Sequence, residues 1–452
     1  MPLSNIILLS LDLLFIAGFL AFTIVSMVEG QRRAAQLAAL LTALSGLILT
    51  ALLFAPPLIT QITAITLAIL LVLFAVWLAW PVKRQIAPSP KPNQRVDERT
   101  IMFARALLEP DTPQFESYYR AHPEHLVPDN AFRANPGLLQ SGATFYDPLL
   151  GASPDASFFL TGALRDQVDG PVASFKVEKS PEELTRFIKG LAKYHGAVDS
   201  GICELQPYHL YSHIGRGTGE YGAPITLSHR YAIAFTVEMD HAMISASPRM
   251  PAVMESAREY VEAGKIAVLL AAAIRNLGYP ARAHIDSNYR VIAPLVAKDA
   301  GLGEIGRMGL LITPRLGPRV RLAVVTTDLP LITDPPTFDP TVIDFCDHCQ
   351  KCVTVCPSNA IPAGERVTHP DDTLRWKINS EQCYTYWTQI GTDCGRCMAV
   401  CPYSHPDTAL HNLIRFGVAH SANFRQAAVA MDDLFYGPKP KPHVAPKWLQ
   451  FK

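Results

Sequence analysis

The hydrophobic residues of the first 82 positions fall into three long stretches, at 6–27, 34–54 and 62–80. Each stretch is close to the roughly 20 residues that a helix needs to cross the hydrocarbon core of a bilayer. The charged residues of this region are Asp12, Glu29, Arg32 and Arg33. The pattern predicts a membrane anchor at residues 1–84 that contains three transmembrane helices.

A cleavable secretory signal is the alternative interpretation of the first stretch. Such a signal needs a basic segment ahead of its apolar run, whereas residues 1–5 carry no charged side chain and two more apolar stretches follow. Asp12 falls inside the first predicted span, where a carboxylate is a candidate for proton or quinone chemistry.

Basic residues beside the spans predict the orientation of the anchor, because positive charge stays on the cytoplasmic side. Arg32 and Arg33 occupy the first loop, and Lys83 and Arg84 follow the third stretch. We therefore expect a multi-pass protein of the cytoplasmic (inner) membrane. Its amino terminus would lie outside, and the chain after residue 83 would lie in the cytoplasm.

The polar and apolar pattern changes after the third stretch. Residues 85–98 are rich in proline and polar side chains, which predicts a linker at the start of an extension over 85–150. The elements predicted beyond it are helices at 182–195 and 254–277 and strands at 231–237 and 321–326. They indicate an α/β or α+β domain at 151–335 that is large enough to bury a cofactor.

Charge composition limits the kinds of partner. The chain has 40 acidic and 40 basic residues and a net charge of zero. A nucleic-acid-binding protein usually carries an excess of basic residues on one surface. We therefore expect no nucleic-acid partner.

Eight of the nine cysteines lie after residue 340, in two runs of regular spacing. The first run has the form C-x2-C-x2-C-x3-C-P and starts at Cys346, and the second joins Cys383 to a C-x2-C-x3-C-P group that starts at Cys394. Two such runs are typical of ferredoxins with two 4Fe–4S clusters. Zinc is the alternative, although zinc sites seldom combine a third cysteine at the next step with a C-P pair. Cys203 stands alone and is expected to be a buried apolar residue.

In two-cluster ferredoxins the fourth cysteine of each run ligates the other cluster. One predicted ligand set is Cys346, Cys349, Cys352 and Cys401. The other is Cys383, Cys394, Cys397 and Cys356. This places a ferredoxin-like domain at 336–410, followed by a carboxyl-terminal extension at 411–452. Two neighbouring clusters carry electrons one at a time, so an upstream site has to receive them.

The sequence Gly301-Leu-Gly303-Glu-Ile-Gly306 matches the dinucleotide pattern G-x-G-x-x-G. That pattern indicates dinucleotide binding only when it lies between a strand and a helix. Residues 307–313 are followed by Pro314 and leave too little room for the helix, and 294–300 make a poor strand. We reject nicotinamide binding and expect these glycines to allow close approach to a large flat ligand.

Several motifs of residues 170–450 resemble the catalytic subunits of corrinoid-dependent reductive dehalogenases. They are VEMDHAM (237–243), RNLGYPA (275–281), DAGLGEIGRMGLLITPRLGPRVR (299–321), TDLPL (327–331), CYTYW (383–387), CGRCMAVCPYSHP (394–406) and DDLFYG (432–437). Members of that family commonly have a twin-arginine export signal and a separate membrane subunit. In this sequence no arginine pair precedes the first apolar stretch, and three predicted spans are expected to take the place of both features.

The resemblance implies a cobalamin-binding, nitroreductase-like core and a base-off corrinoid cofactor. Gly301, Gly303 and Gly309 would be its contacts. The family's catalytic tyrosine, counted back from the LGY turn, corresponds to Tyr260, and its basic partner corresponds to Arg321. A further polar residue of the family falls within His284-Ile-Asp286-Ser-Asn288, where we leave the equivalence open.

The implied reaction is reductive removal of halogen from a small organohalide, which consumes two electrons and one proton. Tyr260 would donate the proton, and Arg321 would stabilise the phenolate. The structural alternatives are core packing for Tyr260 and an ion pair for Arg321.

Two other functions stay open at this point. One is a related corrinoid and iron–sulfur reductase of the epoxyqueuosine reductase kind, and the other is a membrane electron-transfer subunit. The sequence does not distinguish among quinol, ferredoxin and flavodoxin as the electron donor.

Overall fold

The computed structural model describes residues 2–82, 84–336 and 338–451. Lys83, which contributes to the orientation argument, lies outside the described residues. The chain forms two compact units. The first unit combines residues 1–85 with 407–440, and the second combines 86–406 with 441–452.

Three long helices form the first part of the first unit. They are α1 (Leu3–Val28), α2 (Arg32–Leu53) and α3 (Pro57–Ala79). Each is long and apolar enough to cross a membrane. Pro57 begins α3, where a missing N–H costs no helical hydrogen bond.

Asp12 lies on the buried side of α1, where it is 5% exposed. Thr50 Oγ1 of α2 donates to its Oδ2 at 3.1 Å. Among the described residues, Asp12 Oδ1 has no hydrogen-bond partner. The carboxyl group therefore connects α1 to α2.

The first unit is completed by a helical hairpin from the far end of the chain. Its helices are α16 (Ala409–His420) and α17 (Ala422–Tyr436). Ser421 joins them, accepts from the Phe424 N–H and donates to the Trp80 carbonyl. The sequence treated 411–452 as one extension. The structure corrects this, because residues 407–440 pack with the long helices and residues 441–452 belong to the second unit.

The second unit contains the following helices before residue 336: α4 (Met102–Arg105), α5 (Pro113–Ala121), α6 (Pro123–Arg133), α7 (Pro148–Leu164), α8 (Pro181–Tyr194), α9 (His241–Ser245), α10 (Met250–Asn276) and α11 (Ala293–Asp299). Its main strands are β1 (Asp199–Glu204), β2 (Tyr231–Glu238), β3 (Ala281–His284) and β6 (Val320–Thr327). The predicted elements of this region are present with small shifts of their ends.

The four strands form one sheet in the order β1-β2-β6-β3, and every neighbouring pair is antiparallel. The long helix α10 packs on one face through Ile266, Leu270 and Ile274, against Ile233 and Phe235 of β2. Helix α11 covers the other face with Val296. Helices on an antiparallel sheet make this domain α+β. Cys203 of β1 is 5% exposed, as expected of an apolar core residue.

Residues 93–98 are bound to the second unit and do not form a free linker. Asn93 N donates to the Asp371 carbonyl at 3.1 Å, and Arg95 donates to the carbonyls of Leu210, Tyr211 and Ile225. Glu98 is fully buried. The structure corrects the linker prediction for this part, because the polar side chains find partners in the folded domain.

The glycine-rich segment forms a short hairpin of β4 (Glu304–Ile305) and β5 (Leu311–Ile312). It follows α11, so a helix precedes the glycines and a strand follows them. This order is opposite to that of a dinucleotide-binding turn and agrees with the rejection of nicotinamide binding.

The cysteine-rich end of the second unit contains α12 (Pro340–Cys349), α13 (Lys351–Val355), β7 (Val367–Thr368), β8 (Leu374–Arg375), α14 (Ser380–Ile390) and α15 (Arg396–Ala399). Gln350 separates α12 from α13 with φ of 50°, and Cys394 has φ of 52°. These left-handed residues turn the chain sharply, so cysteines close in sequence can face a common point.

Candidate active site

The first group of thiols brings together cysteines from both runs. Burial raises the pKa of Cys401 well above its ordinary value, and the neighbouring thiols of Cys346, Cys349 and Cys352 raise it further. Burial likewise raises the pKa of Cys346 to about 12. Cys401 thus lies beside the first three cysteines of the other run.

The second group has the reciprocal composition. Burial raises the pKa of Cys394 to about 12, and the thiols of Cys383 and Cys356 add to that shift. The pKa of Cys397 is raised by desolvation and by the thiols of Cys394, Cys383 and Cys356, together with Cys352 of the first group. Cys356 therefore lies with cysteines of the second run. All nine cysteines are free of disulfides.

Buried thiols whose thiolates repel one another are unfavourable unless a cation neutralises them. Two groups of four sulfur donors fit two 4Fe–4S clusters, because each cluster takes four thiolate ligands. The Ala360 N–H also donates to Cys356 Sγ at 3.3 Å, an interaction of the kind that tunes cluster potentials.

Arg307, which follows the last glycine of the 301–306 motif, was not singled out from the sequence. It is 2% exposed. Its guanidinium donates to the carbonyls of Cys346, Pro362 and Gly364 at 2.7 to 3.0 Å. Arg307 therefore fixes the first cysteine of the first group to the glycine segment. Its position directly after the glycines was the available signal.

The structure brings Tyr260 and Arg321 together. Tyr260 lies on α10 and Arg321 near the start of β6, and the guanidinium carbon is 4.2 Å from the centre of the phenol ring. This cation–π geometry gives the ring a permanent positive neighbour.

Two polar residues hold Arg321 over the ring. Its Nη2 donates to Ser256 Oγ on α10, one helical turn before Tyr260. Asp393 Oδ2 lies 3.7 Å from the same nitrogen. Since Asp393 directly precedes Cys394, the ion pair connects the second thiol group to the Tyr260 site.

More ionisable side chains surround Tyr260. Burial raises its pKa, the Arg321 charge lowers it, and the charges of Asp286 and Arg216 also act on it. Burial raises the pKa of the adjacent Tyr289 well above its ordinary value. Within the segment 284–288, Asp286 is the residue whose charge acts on Tyr260, and its Oδ2 accepts from Arg165 Nη2 at 3.1 Å. His284 instead bonds Thr326, and Asn288 accepts from Arg282.

The side chains around Tyr260 are partly accessible. They lie deep in the second unit, yet the side chains of Arg321, Asp286 and Asp393 keep 20%, 17% and 14% of their surface accessible. Among the described residues, Arg321 Nε and Asp393 Oδ1 have no hydrogen-bond partner. Buried polar atoms in this condition fit a site that receives a bound group.

Arg216, whose charge acts on Tyr260, forms a buried ion pair with Glu98. Glu98 Oε1 accepts from Arg216 Nε at 3.1 Å, and its Oε2 accepts from the Gly215 N–H at 2.8 Å. Both were overlooked in the sequence, because Glu98 falls in the segment interpreted as a linker.

The glycines predicted to contact a corrinoid have protein neighbours. A Cβ on Gly303 would meet the Ile312 carbonyl at 2.2 Å, and one on Gly309 would meet Ile378 at 3.2 Å. Gly301 has φ of 80°. Close packing within the β4–β5 hairpin therefore explains why position 303 is a glycine.

The two groups of thiols define an iron–sulfur protein. A family model described as a 4Fe-4S dicluster domain matches residues 345–405, the segment that contains both groups.

Several known proteins that resemble the chain are reductive dehalogenases. The tetrachloroethene reductive dehalogenase of Desulfitobacterium hafniense is 36% identical over 216 residues, which cover 45% of this chain and 38% of that protein. The tetrachloroethene reductive dehalogenase of Sulfurospirillum multivorans is 30% identical over 293 residues, which cover 57% and 58%.

A solved reductive dehalogenase has the same fold over much of the chain. Its structure, described as suggesting a mechanism for B12-dependent dehalogenation, gives a TM-score of 0.61 at 27% identity. The match covers 79% of this chain and 49% of that one. This chain is therefore related in sequence and fold to the reductive dehalogenases, and it spans 38% to 58% of the length of these relatives.

Proposed function

We propose that this protein removes halogen reductively from a small organohalide. In the reaction, R–X, two electrons and one proton give R–H and X⁻, so the carbon–halogen bond breaks and a carbon–hydrogen bond forms. The observation that carries the proposal is the Tyr260–Arg321 pair, in which the guanidinium carbon lies 4.2 Å from the ring centre and Arg321 is paired with Asp393, the residue before Cys394. The reductive dehalogenase relatives support the same function.

The proposal assigns Cys346, Cys349, Cys352 and Cys401 to one 4Fe–4S cluster. Cys383, Cys394, Cys397 and Cys356 hold the other. The neighbour relations among the thiols support both sets. Such clusters, when bound, carry single electrons over a short distance.

A corrinoid in a cobalamin-binding, nitroreductase-like core completes the proposal. When bound, it supplies the reduced cobalt that delivers electron density to the carbon–halogen bond. The unpartnered buried polar atoms of Arg321 and Asp393 beside Tyr260 and the B12-dependent relative support this cofactor. The proposal keeps a role for Gly301, Gly303 and Gly309 in shaping the segment beside the corrinoid. Because Gly303 packs closely on Ile312, its effect on the corrinoid would be indirect.

Tyr260 is the proposed proton donor. A phenol carries its proton at neutral pH and can act as an acid, and burial alone would weaken it by raising its pKa. Arg321 opposes that shift and stabilises the phenolate after transfer, because its positive charge faces the ring. The same charge attracts the departing halide.

The proposed location is the cytoplasmic membrane, with α1 to α3 as spans and the second unit on the cytoplasmic side. The apolar helices and the arginines of the first loop support this arrangement. A reporter fused after Arg84 should indicate cytoplasm, and one fused at Met1 should indicate the opposite face. The reverse result would overturn the orientation. Quinol, ferredoxin and flavodoxin are candidate donors, and no nucleic-acid partner is proposed.

The function is tested with the full chain, reconstituted anaerobically with iron, sulfide and a corrinoid. A reduced viologen supplies electrons, and halide release from chlorinated ethenes and halogenated phenols is measured. We expect release that depends on the corrinoid, with one corrinoid extracted per chain. Bound corrinoid without halide release from any organohalide would favour another corrinoid reductase. A chain with clusters and no bound corrinoid would favour the electron-transfer subunit.

A further inference from the structure

The helical hairpin of α16 and α17 has an unusual distribution of charge. Within residues 409–436, the charged side chains are Arg415, Arg425, Asp432 and Asp433, and all are buried or half-buried. The large exposed side chains are Leu413, Phe416, Met431 and Leu434, each at least 50% exposed. The exposed polar positions of the hairpin are an asparagine, a histidine and a glutamine. Its outer face therefore carries apolar groups where a water-soluble hairpin carries charge.

Helix α8 of the second unit shows the ordinary arrangement. Its exposed Phe187 and Tyr194 stand among exposed charged residues, which are Glu182, Glu183, Arg186 and Lys193. Scattered exposed apolar residues of this kind are normal on a protein surface. The hairpin differs because its exposed face has no acidic or basic (Asp, Glu, Lys or Arg) side chain.

Contacts within the first unit place the hairpin at one end of the long helices. Asn423 and Ser421 donate to the carbonyls of Trp77 and Trp80, at the end of α3. His411 Nε2 lies 2.9 Å from a carboxylate oxygen of Glu29, which follows α1. Arg33, at the start of α2, donates to the Leu434 carbonyl at 3.2 Å. The ends of all three long helices that meet the hairpin belong to the same side of the bundle.

The hairpin also contacts residues of α1 and α2 that lie further from the ends of these helices. The ring of Phe435 contacts Phe22 of α1 with centroids 4.7 Å apart, and it packs on Ala34 and Ala38 of α2. Phe22 and Ala38 each lie six residues inside their helix, about 9 Å from its end at 1.5 Å per residue. Amphipathic helices at a membrane surface bury their apolar face to a depth of about 5–10 Å.

We propose that the α16–α17 hairpin is an interfacial membrane element whose outer face contacts phospholipid. Leu413, Phe416, Met431 and Leu434 enter the boundary between headgroups and acyl chains, beside the spans to which the hairpin is hydrogen-bonded. The partner is the lipid surface of the same membrane, because the hairpin is bonded to the ends of α1, α2 and α3, where membrane-spanning helices meet that surface. The inference is independent of the reaction proposed above.

The test uses the full chain in nanodiscs of phosphatidylcholine and phosphatidylglycerol that contain a phospholipid with a photoactivatable diazirine near the glycerol. After illumination, adducts are mapped on peptides by mass spectrometry. Peptides of 409–436 should carry at least about tenfold more adducts than peptides of α8, which exposes comparable apolar rings to water. Equal labelling of the two, with α1 to α3 labelled, would overturn the proposal.

Matched variants make the test specific. Leu413→Gln with Phe416→Gln should lower the adducts on α16 by about fivefold, because amides replace apolar groups at the boundary. Leu413→Met with Phe416→Met keeps an apolar face and should keep the adducts. Iron content should stay at the wild-type value in both variants, which shows that the second unit is folded. If a second copy covered the face instead, chemical cross-links between chains would replace the lipid adducts, and the lipid assignment would fail.

Discussion

The cysteine-rich segment is formed by one short part of the chain, whereas the Tyr260 site is formed by residues that are far apart in sequence. Both thiol groups come from residues 346–401, and short turns with left-handed residues such as Gln350 bring their members together. The Tyr260 site draws on Glu98, Arg216, Asp286, Arg321 and Asp393 as well as on α10. One site depends on local spacing, and the other depends on the packing of distant segments.

The difference predicts how each region responds to substitution. A cluster is a single covalent assembly held by four thiolates, so we expect the loss of one ligand to affect the whole cluster. The Tyr260 site is a set of separate contacts, so its losses should be graded. Asp393 belongs to both regions, since it pairs with Arg321 and precedes Cys394. The predictions below test this contrast from its largest expected effect to its smallest.

Cys356→Ser should remove the cluster to which Cys383 belongs, because serine replaces a thiolate ligand. Iron should fall from about eight to about four per chain, with loss of turnover. Iron analysis and electron paramagnetic resonance measure both changes. Cys203→Ser is the matched control, since that buried thiol lies on β1 and should leave the iron content unchanged. Loss of the same resonance in Cys356→Ser and Cys346→Ser would contradict the crossed ligand sets.

Tyr260→Phe should lower turnover about 10²-fold or more, because it removes the proton donor and keeps the ring under Arg321. Corrinoid and iron content should stay the same, and stability should change by about 1 kcal/mol or less. Tyr279→Phe is the control, since its hydroxyl donates only to the Val177 carbonyl. Full activity of Tyr260→Phe would show that another group donates the proton.

Arg321→Lys should give an intermediate defect, about tenfold in kcat, because lysine keeps the charge and loses the planar guanidinium that stacks on the ring. The pH profile should change as well, since a displaced charge stabilises the phenolate less. Arg258→Lys on the exposed side of α10 serves as the comparison. Equal kinetics of both variants would leave Arg321 with a structural role only.

Ser256→Ala should have the smallest effect, about threefold on kcat/KM, because it removes one of the two groups that contact Arg321 and keeps the carboxylate of Asp393, which Ser256 also contacts. Combining it with Arg321→Lys tests the contact directly. If Ser256 acts through Arg321, the double variant should be no slower than Arg321→Lys alone. Additive defects would show that Ser256 acts elsewhere.

Local patterns allowed several features to be predicted without coordinates. Three apolar stretches predicted the three long helices, and the periodicity of 254–277 predicted most of α10, since both signals lie within one element. The cysteine spacing predicted the dicluster domain, because its geometry is set by short turns. Tyr260 and Arg321 were found by resemblance, and neither spacing nor periodicity distinguishes them from core residues.

Tertiary structure alone decided the remaining features. Residues 93–98 looked like a linker because they are polar, but their polarity is used in hydrogen bonds to loops more than a hundred residues away. Arg307 and Asp393 were unremarkable in sequence, and their roles follow from neighbours supplied by other elements. The return of residues 407–440 to the long helices depends on contacts such as Phe22 with Phe435. The local sequence determines the hydrophobic period of a helix or strand. Contacts between residues that are distant in sequence are determined only by the packing of the whole chain.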